Sequence, residues 1–245
     1  MVKNGIYWTC GQYFLRDLDD DMMRRRIVDT FERCMNRYQF VPLDEMWQYD
    51  DNDVYPLVGK DHMGNDTYCG YSVCDNLDIL KKDFAMFIFV NDKPVSKAKM
   101  KVVLSGSDEF PPGIEILLLC GDSSNYSSAG KNMIKNAIEL NRCISVALRD
   151  IQVDMREPQV SLFSVNDSFY DRHTPLEKNK GTSTFVGGQR GSRATNEWLR
   201  SVRPVSARPQ VVDLTQDENP DEIQGSGLTK PGRDARRRAA SLWCI

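Results

Sequence analysis

A chain of 245 residues has room for one large domain or two small ones. Hydrophobic residues make up 40 % and charged ones 27 %, enough for a core but thin for a chain folded from end to end. The net charge of −3 hides an asymmetry: residues 179–245 carry 11 Lys+Arg against 7 Asp+Glu, so an acidic body precedes a basic tail.

No apolar run approaches the ~18 to 20 residues of a membrane helix, so no membrane contact is expected. Residues 1–11 lack a basic segment followed by a long apolar one, and no secretory signal is expected either. Seven cysteines, an odd number, then read as reduced thiols of a nuclear or cytoplasmic protein, the nucleus preferred.

In chain order, Ile6–Leu15 is rich in aromatic and β-branched residues and predicts a strand. Asp19, Asp20 and Asp21 offer an N-cap and a negative first turn. Behind them Met23, Ile27, Phe31, Cys34 or Met35, and Tyr38 recur at helical spacing and predict a helix over 21–38. Residues 41–66 read as loop with at most a short helix, and Thr67–Cys74 as a strand. Phe84–Val90 is a continuous apolar run, the pattern of a strand covered on both faces. Asn91-Asp92-Lys93-Pro94 makes a turn, and Val95–Leu104 is its hairpin partner. After the Pro111-Pro112-Gly113 break, Ile114–Cys120 predicts a second buried strand. The small-residue loop Gly121–Ser128 leads into a helix marked by Met133, Ile134, Ala137 and Ile138. Cys143–Ile151 is then expected as the returning strand of a βαβ unit.

A Gly/Ser loop at a helix N-terminus exposes backbone N–H groups where the helix dipole is positive, a setting for phosphate. Equally, it is an ordinary capped turn. Neither G-x-x-x-x-G-K-[ST] nor G-x-G-x-x-G occurs, which argues against P-loop and dinucleotide folds. His62, Cys69 and Cys74 do not have zinc spacing, so no metal is expected.

The element order, with Asn125-Tyr126-Ser127-Ser128-Ala129-Gly130 opening the helix and Phe169-Tyr170-Asp171 before the last strands, resembles the Gcn5-related N-acetyltransferase superfamily. That family's loop follows Gln/Arg-x-x-Gly-x-Gly/Ala. Gly130 fits it, whereas Asn125 and Ser128 depart. The resemblance spans residues 1–186 and implies an α/β (α+β) fold, an acyl-CoA N-acyltransferase-like mixed sheet flanked by helices. It implies that the fourth strand splays from the fifth and that acetyl-CoA enters the gap. Cys120 at the strand end, with Asn125, Tyr126, Ser127, Ser128, Ala129, Gly130 and Lys131, would then contact the cofactor. Tyr170 would be the general acid for the departing thiolate, and Glu115 the base that deprotonates an amine acceptor. Asp122 is a reserve base. Packing roles for Tyr170 and a solvent-facing Glu115 remain open alternatives, as does a non-catalytic interaction protein on the same scaffold.

Residues 187–245 hold few aromatics among Gly, Ser, Pro, Arg and Gln, and predict a disordered tail. A short helix near Thr195–Val202 fits within it. Val211-Val212-Asp213-Leu214-Thr215, followed by Gln216-Asp217-Glu218, closely resembles a SUMO-interacting motif over 211–218. Such a peptide would add a strand to a sheet edge, with Val211, Val212 and Leu214 in an apolar groove. Asp213, Asp217 and Glu218 would face a basic rim, and Thr215 is a site where a phosphate would add charge. SUMO or SUMO-modified proteins are the expected partners. Arg236-Arg237-Arg238 reads mainly as a solubilising run, with nucleic acid as the weaker alternative.

Overall fold

The computed structural model describes residues 2–10, 21–42, 57–60, 66–68, 83–107, 110–122, 125–153, 155–164, 167–208 and 243–244. The expected strand beyond Cys10, most of Thr67–Cys74, His62, Cys69, Cys74, the 211–218 motif and the 236–238 arginines lie outside these residues.

Strand β1 (Gly5–Cys10) precedes helix α1 (Asp21–Met35) and a two-residue strand β2 (Gln39–Phe40). A small separate hairpin joins β3 (Leu57–Lys60) and β4 (Asp66–Tyr68). Then follow β5 (Phe84–Val90), β6 (Lys93–Val103) and β7 (Gly113–Gly121). Asn91 and Asp92 connect β5 to β6 with φ of 52° and 63°. Two consecutive left-handed residues make the hairpin turn whose twist matches the strands, and Asn and Asp tolerate it best after Gly.

Next come β8 (Tyr126–Ser127), helix α2 (Ala129–Asp150), β9 (Gln159–Phe163), helix α3 (Asp167–His173), β10 (Leu176–Lys178) and β11 (Thr184–Gly187). Helix α4 (Arg193–Ser201), β12 (Ser206–Ala207) and β13 (Trp243–Cys244) complete the described elements. The main sheet runs β10-β11-β9-β7-β6-β5-β1-β2, with β13 also on β7. Neighbours are antiparallel except β1/β2 and β7/β9. The result is a mixed α/β fold, a large mixed sheet flanked by four helices.

The alternation of β5 explains its unbroken apolar run. Phe84, Met86 and Ile88 join the main core with Phe31, Met133, Ile134 and Ile138. Ala85, Phe87 and Phe89 face the other side with Tyr7 and Val41. Lys97 is fully buried and Lys99 forms an ion pair with Asp83 at 3.1 Å.

Three expectations are corrected here. Cys143–Ile151 is not a strand: α2 continues through it, because Met133, Ala137, Leu140, Ile144 and Leu148 keep the three- and four-residue spacing. The alternation seen at Ile144, Val146 and Leu148 puts Val146 on the exposed side of the helix. The returning strand is β9. Second, the boundary at 186/187 falls inside β11, and the chain stays in regular elements through α4 and β12. Ser192 caps α4, its side chain accepting from the Thr195 N–H. Third, the thiols are not all reduced: Cys34 of α1 and Cys143 of α2 form a disulfide, with Cα atoms 5.8 Å apart.

Candidate functional site

The site is built where β7 ends and α2 begins. Gly121 allows this junction, since a Cβ there would stand 3.1 Å from the Gly130 N and 3.6 Å from the Ala129 Cβ. Helix and strand backbones therefore meet closely at two glycines.

Asp122 organises the loop that follows. Its carboxylate accepts from the Asn125 N–H at 3.1 Å and from Asn125 Nδ2 at 3.0 Å. Its carbonyl accepts from the Tyr126 N–H, and Lys93 Nζ lies 3.8 Å from Oδ2. Asp122 is thus buried and engaged in holding the turn, and the reserve-base expectation gives way to a loop-forming role.

Ser128 precedes the helix at φ 62°, ψ 13°, in the left-handed region, and its side chain makes no capping bond. Its carbonyl accepts from both the backbone N–H and Nδ2 of Asn132. The N–H groups of Ala129, Gly130 and Lys131 belong to the first turn and have no intrahelical acceptor. No acidic side chain occupies that turn. Ala129 and Gly130 are buried, Tyr126, Ser127, Ser128 and Lys131 half-buried, and Asn125 exposed. The loop so presents backbone donors at a positive helix end, the arrangement an oxyanion needs.

In the neighbouring sheet β7 runs on past the end of β9. β7 and β9 pair in parallel from Gly113/Gln159 to Ile116/Leu162. At that point the β6–β7 register shifts between Lys99 and Met100, leaving Leu117 as an extra residue. Such a bulge bends its strand and ends pairing. Leu117 in the bulge is 40 % and Phe163 at the end of β9 64 % exposed, two apolar side chains facing solvent where the pairing stops. On the edge of β7 that β9 leaves, β13 pairs antiparallel with Cys120 and Gly121. Cys120 is fully buried and disulfide-bonded, and its carbonyl accepts from Ser96 Oγ. The Cys120 end of the expected cofactor surface is accordingly covered.

The loop is covered too, by a segment whose composition predicts a disordered tail. β12 pairs with β8, Ser206 opposite Ser127 and Ala207 opposite Tyr126. Ser127 Oγ and Ser206 Oγ are 2.8 Å apart. The Arg208 N–H donates to the Asn125 carbonyl at 2.7 Å, and Asn132 Nδ2 to the Arg203 carbonyl at 2.7 Å. Pro204 lies within this strap and fixes its own φ in the extended range, the one sequence signal that could have flagged it.

The two catalytic candidates are not brought together. Glu115 is held by Lys101 Nζ at 2.8 Å, and its neighbours Ile114 and Ile116 belong to the main core. Alternation turns Glu115 to the opposite face. Tyr170 is 1 % exposed in that same main core, against the Phe169 and Phe185 rings at 5.1 and 5.2 Å. The sheet stands between them. His173 ends α3 with an exposed side chain. Its pKa is lowered by partial burial, then by the charges of Lys131 and Arg172. Its carbonyl accepts from Trp198 Nε1 at 2.8 Å, which ties α4 to this end of the site.

Among the described residues no group of three or more His, Cys, Asp and Glu side chains could hold a metal ion. No described helix is long and apolar enough to cross a membrane. No family model matches the chain, and no match to it is found among curated proteins or solved structures.

Proposed function

We propose that this chain is an acyl-coenzyme A-binding domain of the N-acetyltransferase type, serving transfer of an acetyl group to an amine. The observation that carries the reading is the parallel β7/β9 pair, from which β7 runs on past β9 and the Leu117 bulge to the N-terminus of α2. The strand order, with its parallel pair between two antiparallel sets, supports the same fold. The pyrophosphate would lie on the N–H groups of residues 129–131. The amides of the pantetheine arm match the strand edge that β9 leaves.

Acetyl-CoA at about 100 times its dissociation constant should stabilise the full chain by about 2.7 kcal/mol. Gly130→Glu should abolish that rise by repelling the phosphates. A folded wild-type chain with no melting shift in millimolar acetyl-CoA refutes the reading.

A second reading is favoured by the separation of Glu115 from Tyr170: a non-catalytic scaffold that binds the cofactor or none. Release of free coenzyme A in the presence of amines separates the two. If Tyr170 donates the proton, Tyr170→Phe should lower turnover about 10²-fold with unchanged cofactor affinity. In either case Val211, Val212 and Leu214 serve as a strand that docks on SUMO, with Asp213, Asp217 and Glu218 at its basic rim. Replacing the three apolar residues with Ala should abolish chemical-shift changes on titration with SUMO.

A further inference from the structure

The strap at 203–208 runs antiparallel to the loop it covers and crosses the start of α2. The Arg203 carbonyl accepts from Asn132 Nδ2 at 2.7 Å. Ser206 lies opposite Ser127, and the Arg208 N–H donates to the Asn125 carbonyl at 2.7 Å. Between the first two of these points Pro204 and Val205 pass residues 128–131, which hold the first-turn donors.

This cover does not satisfy what lies beneath it. Among the described residues no acceptor is bonded to the N–H groups of Ala129, Gly130 and Lys131, although Ala129 and Gly130 are buried. Neither Pro204 nor Val205 gives them a carbonyl. A buried backbone donor without a partner keeps the cost of its lost hydration.

The strap itself is lightly held. β12 has two residues, both exposed, and pairs with β8 alone. The Ser127–Ser206 contact and the Asn132–Arg203 bond are exposed to water. Within the strap only Val205 packs against the main core, and it is half-buried. Exposed hydrogen bonds exchange with water at small net cost, and segments with few buried apolar contacts open first. Helix α4, from which the strap departs, is fixed more firmly. Trp198 Nε1 donates to the His173 carbonyl, and Asn196 Oδ1 accepts from Arg142 Nη1.

We propose that residues 203–208 are an autoinhibitory lid. They shut the N-terminus of α2 in the ligand-free chain and lift from β8, with α4 in place, to admit the pyrophosphate of acetyl-CoA. The ligand in this inference rests on the coenzyme A reading. Lifting gives up surface contacts, and the phosphates then bond the N–H groups that the strap leaves unbonded. The closed lid competes with the ligand, so the observed affinity is the intrinsic one reduced by the fraction of open molecules.

Calorimetric titration of the full chain with acetyl-CoA tests the lid in a loosened and in a locked form. Arg208→Pro removes the N–H that the Asn125 carbonyl accepts, whereas Arg208→Gln removes the charge and keeps that N–H. Arg208→Pro should bind at least about threefold more tightly than Arg208→Gln. The double variant Ser127→Cys/Ser206→Cys puts two thiols across one register pair. Oxidised, it should bind at least about tenfold more weakly than after reduction. Wild type with and without the same reductant is the reference for the Cys34–Cys143 bond. Equal binding by the oxidised and reduced double variant, or by the Pro and Gln variants, overturns the lid and leaves the coenzyme A reading standing. Binding by none of the folded proteins, Arg208→Pro included, refutes that reading and the lid with it.

Discussion

Replacing Ser128 with glycine tests the loop at its most constrained point. Ser128 sits at φ 62°, where a Cβ crowds the following carbonyl. That conformation costs an L-residue about 1–2 kcal/mol. Its hydroxyl makes no capping bond to offset this cost. Glycine removes the strain but brings back unfolded-chain entropy of about 0.4–1 kcal/mol. The net expectation for Ser128→Gly is a gain of about 0.5–1 kcal/mol, or about 1–4 °C in melting temperature for a domain of this size. The full chain should be melted with and without acetyl-CoA. Cofactor affinity should hold or improve, because the donors are backbone N–H groups and the backbone keeps its shape with less strain. Ser127→Gly is the control. Ser127 Oγ meets Ser206 Oγ across the strap, so the control should be neutral or destabilising. A loss of stability in Ser128→Gly comparable to the control would show that the αL geometry does not govern the loop.

Gly113→Ala should be severe, because its Cβ would fall 1.9 Å from the Gln159 carbonyl oxygen and 2.8 Å from Asn141 Oδ1, at a φ of 137°. A loss of about 3 kcal/mol or more, seen as a melting point lower by at least about 6 °C, is expected; a wild-type melting point would refute the β7/β9 register. Tyr38 donates its hydroxyl proton to Asn136 Oδ1 at 3.2 Å, and burial pushes its pKa up to about 12. Its folded pKa exceeds the unfolded one, so its contribution is complete below pH 10 and is lost as pH rises toward 12. Wild type should therefore lose up to about 2–3 kcal/mol more than Tyr38→Phe across that window in alkaline melts, and parallel curves would refute the assignment. Removing residues 241–245 frees the β7 edge at Cys120 and Gly121; if the edge takes coenzyme A, affinity should rise by at least about twofold, in proportion to the fraction of molecules the strand had blocked, and an unchanged affinity would separate that edge from the cofactor.

The sequence made legible whatever depended on short-range pattern. β5, β6 and β7 follow from apolar runs between turn residues, and α1 from its stripe. What escaped were outcomes decided over long distances. Residues 143–151 satisfy a strand and a helix template equally; α2 wins because Ile144 and Leu148 extend a core face begun at Met133. The strap at 203–208 has little apolar content and is held by hydrogen bonds to residues some 70–80 positions earlier, which composition cannot register. The Cys34–Cys143 bridge spans 109 residues, and an odd cysteine count gives no pairing. For the site, the loop and its glycines were readable, but the facing of Glu115 depended on which neighbours the core claimed.

The disulfide also bears on the compartment. The nuclear or cytoplasmic expectation rested on reduced thiols, and Cys34–Cys143 removes that support, since such bonds persist chiefly in oxidising surroundings. Its position has a physical consequence for the site. It fixes α1 to α2 at Cys143, about two thirds of the way along the helix whose N-terminus carries the loop donors. Tyr38, following α1, adds a hydrogen bond to Asn136 on the same helix. α2 is thereby anchored at its middle on α1 and at its N-terminus on Gly121 and the strap. With the helix held at those points, the backbone donors of its first turn are fixed in place by the fold itself.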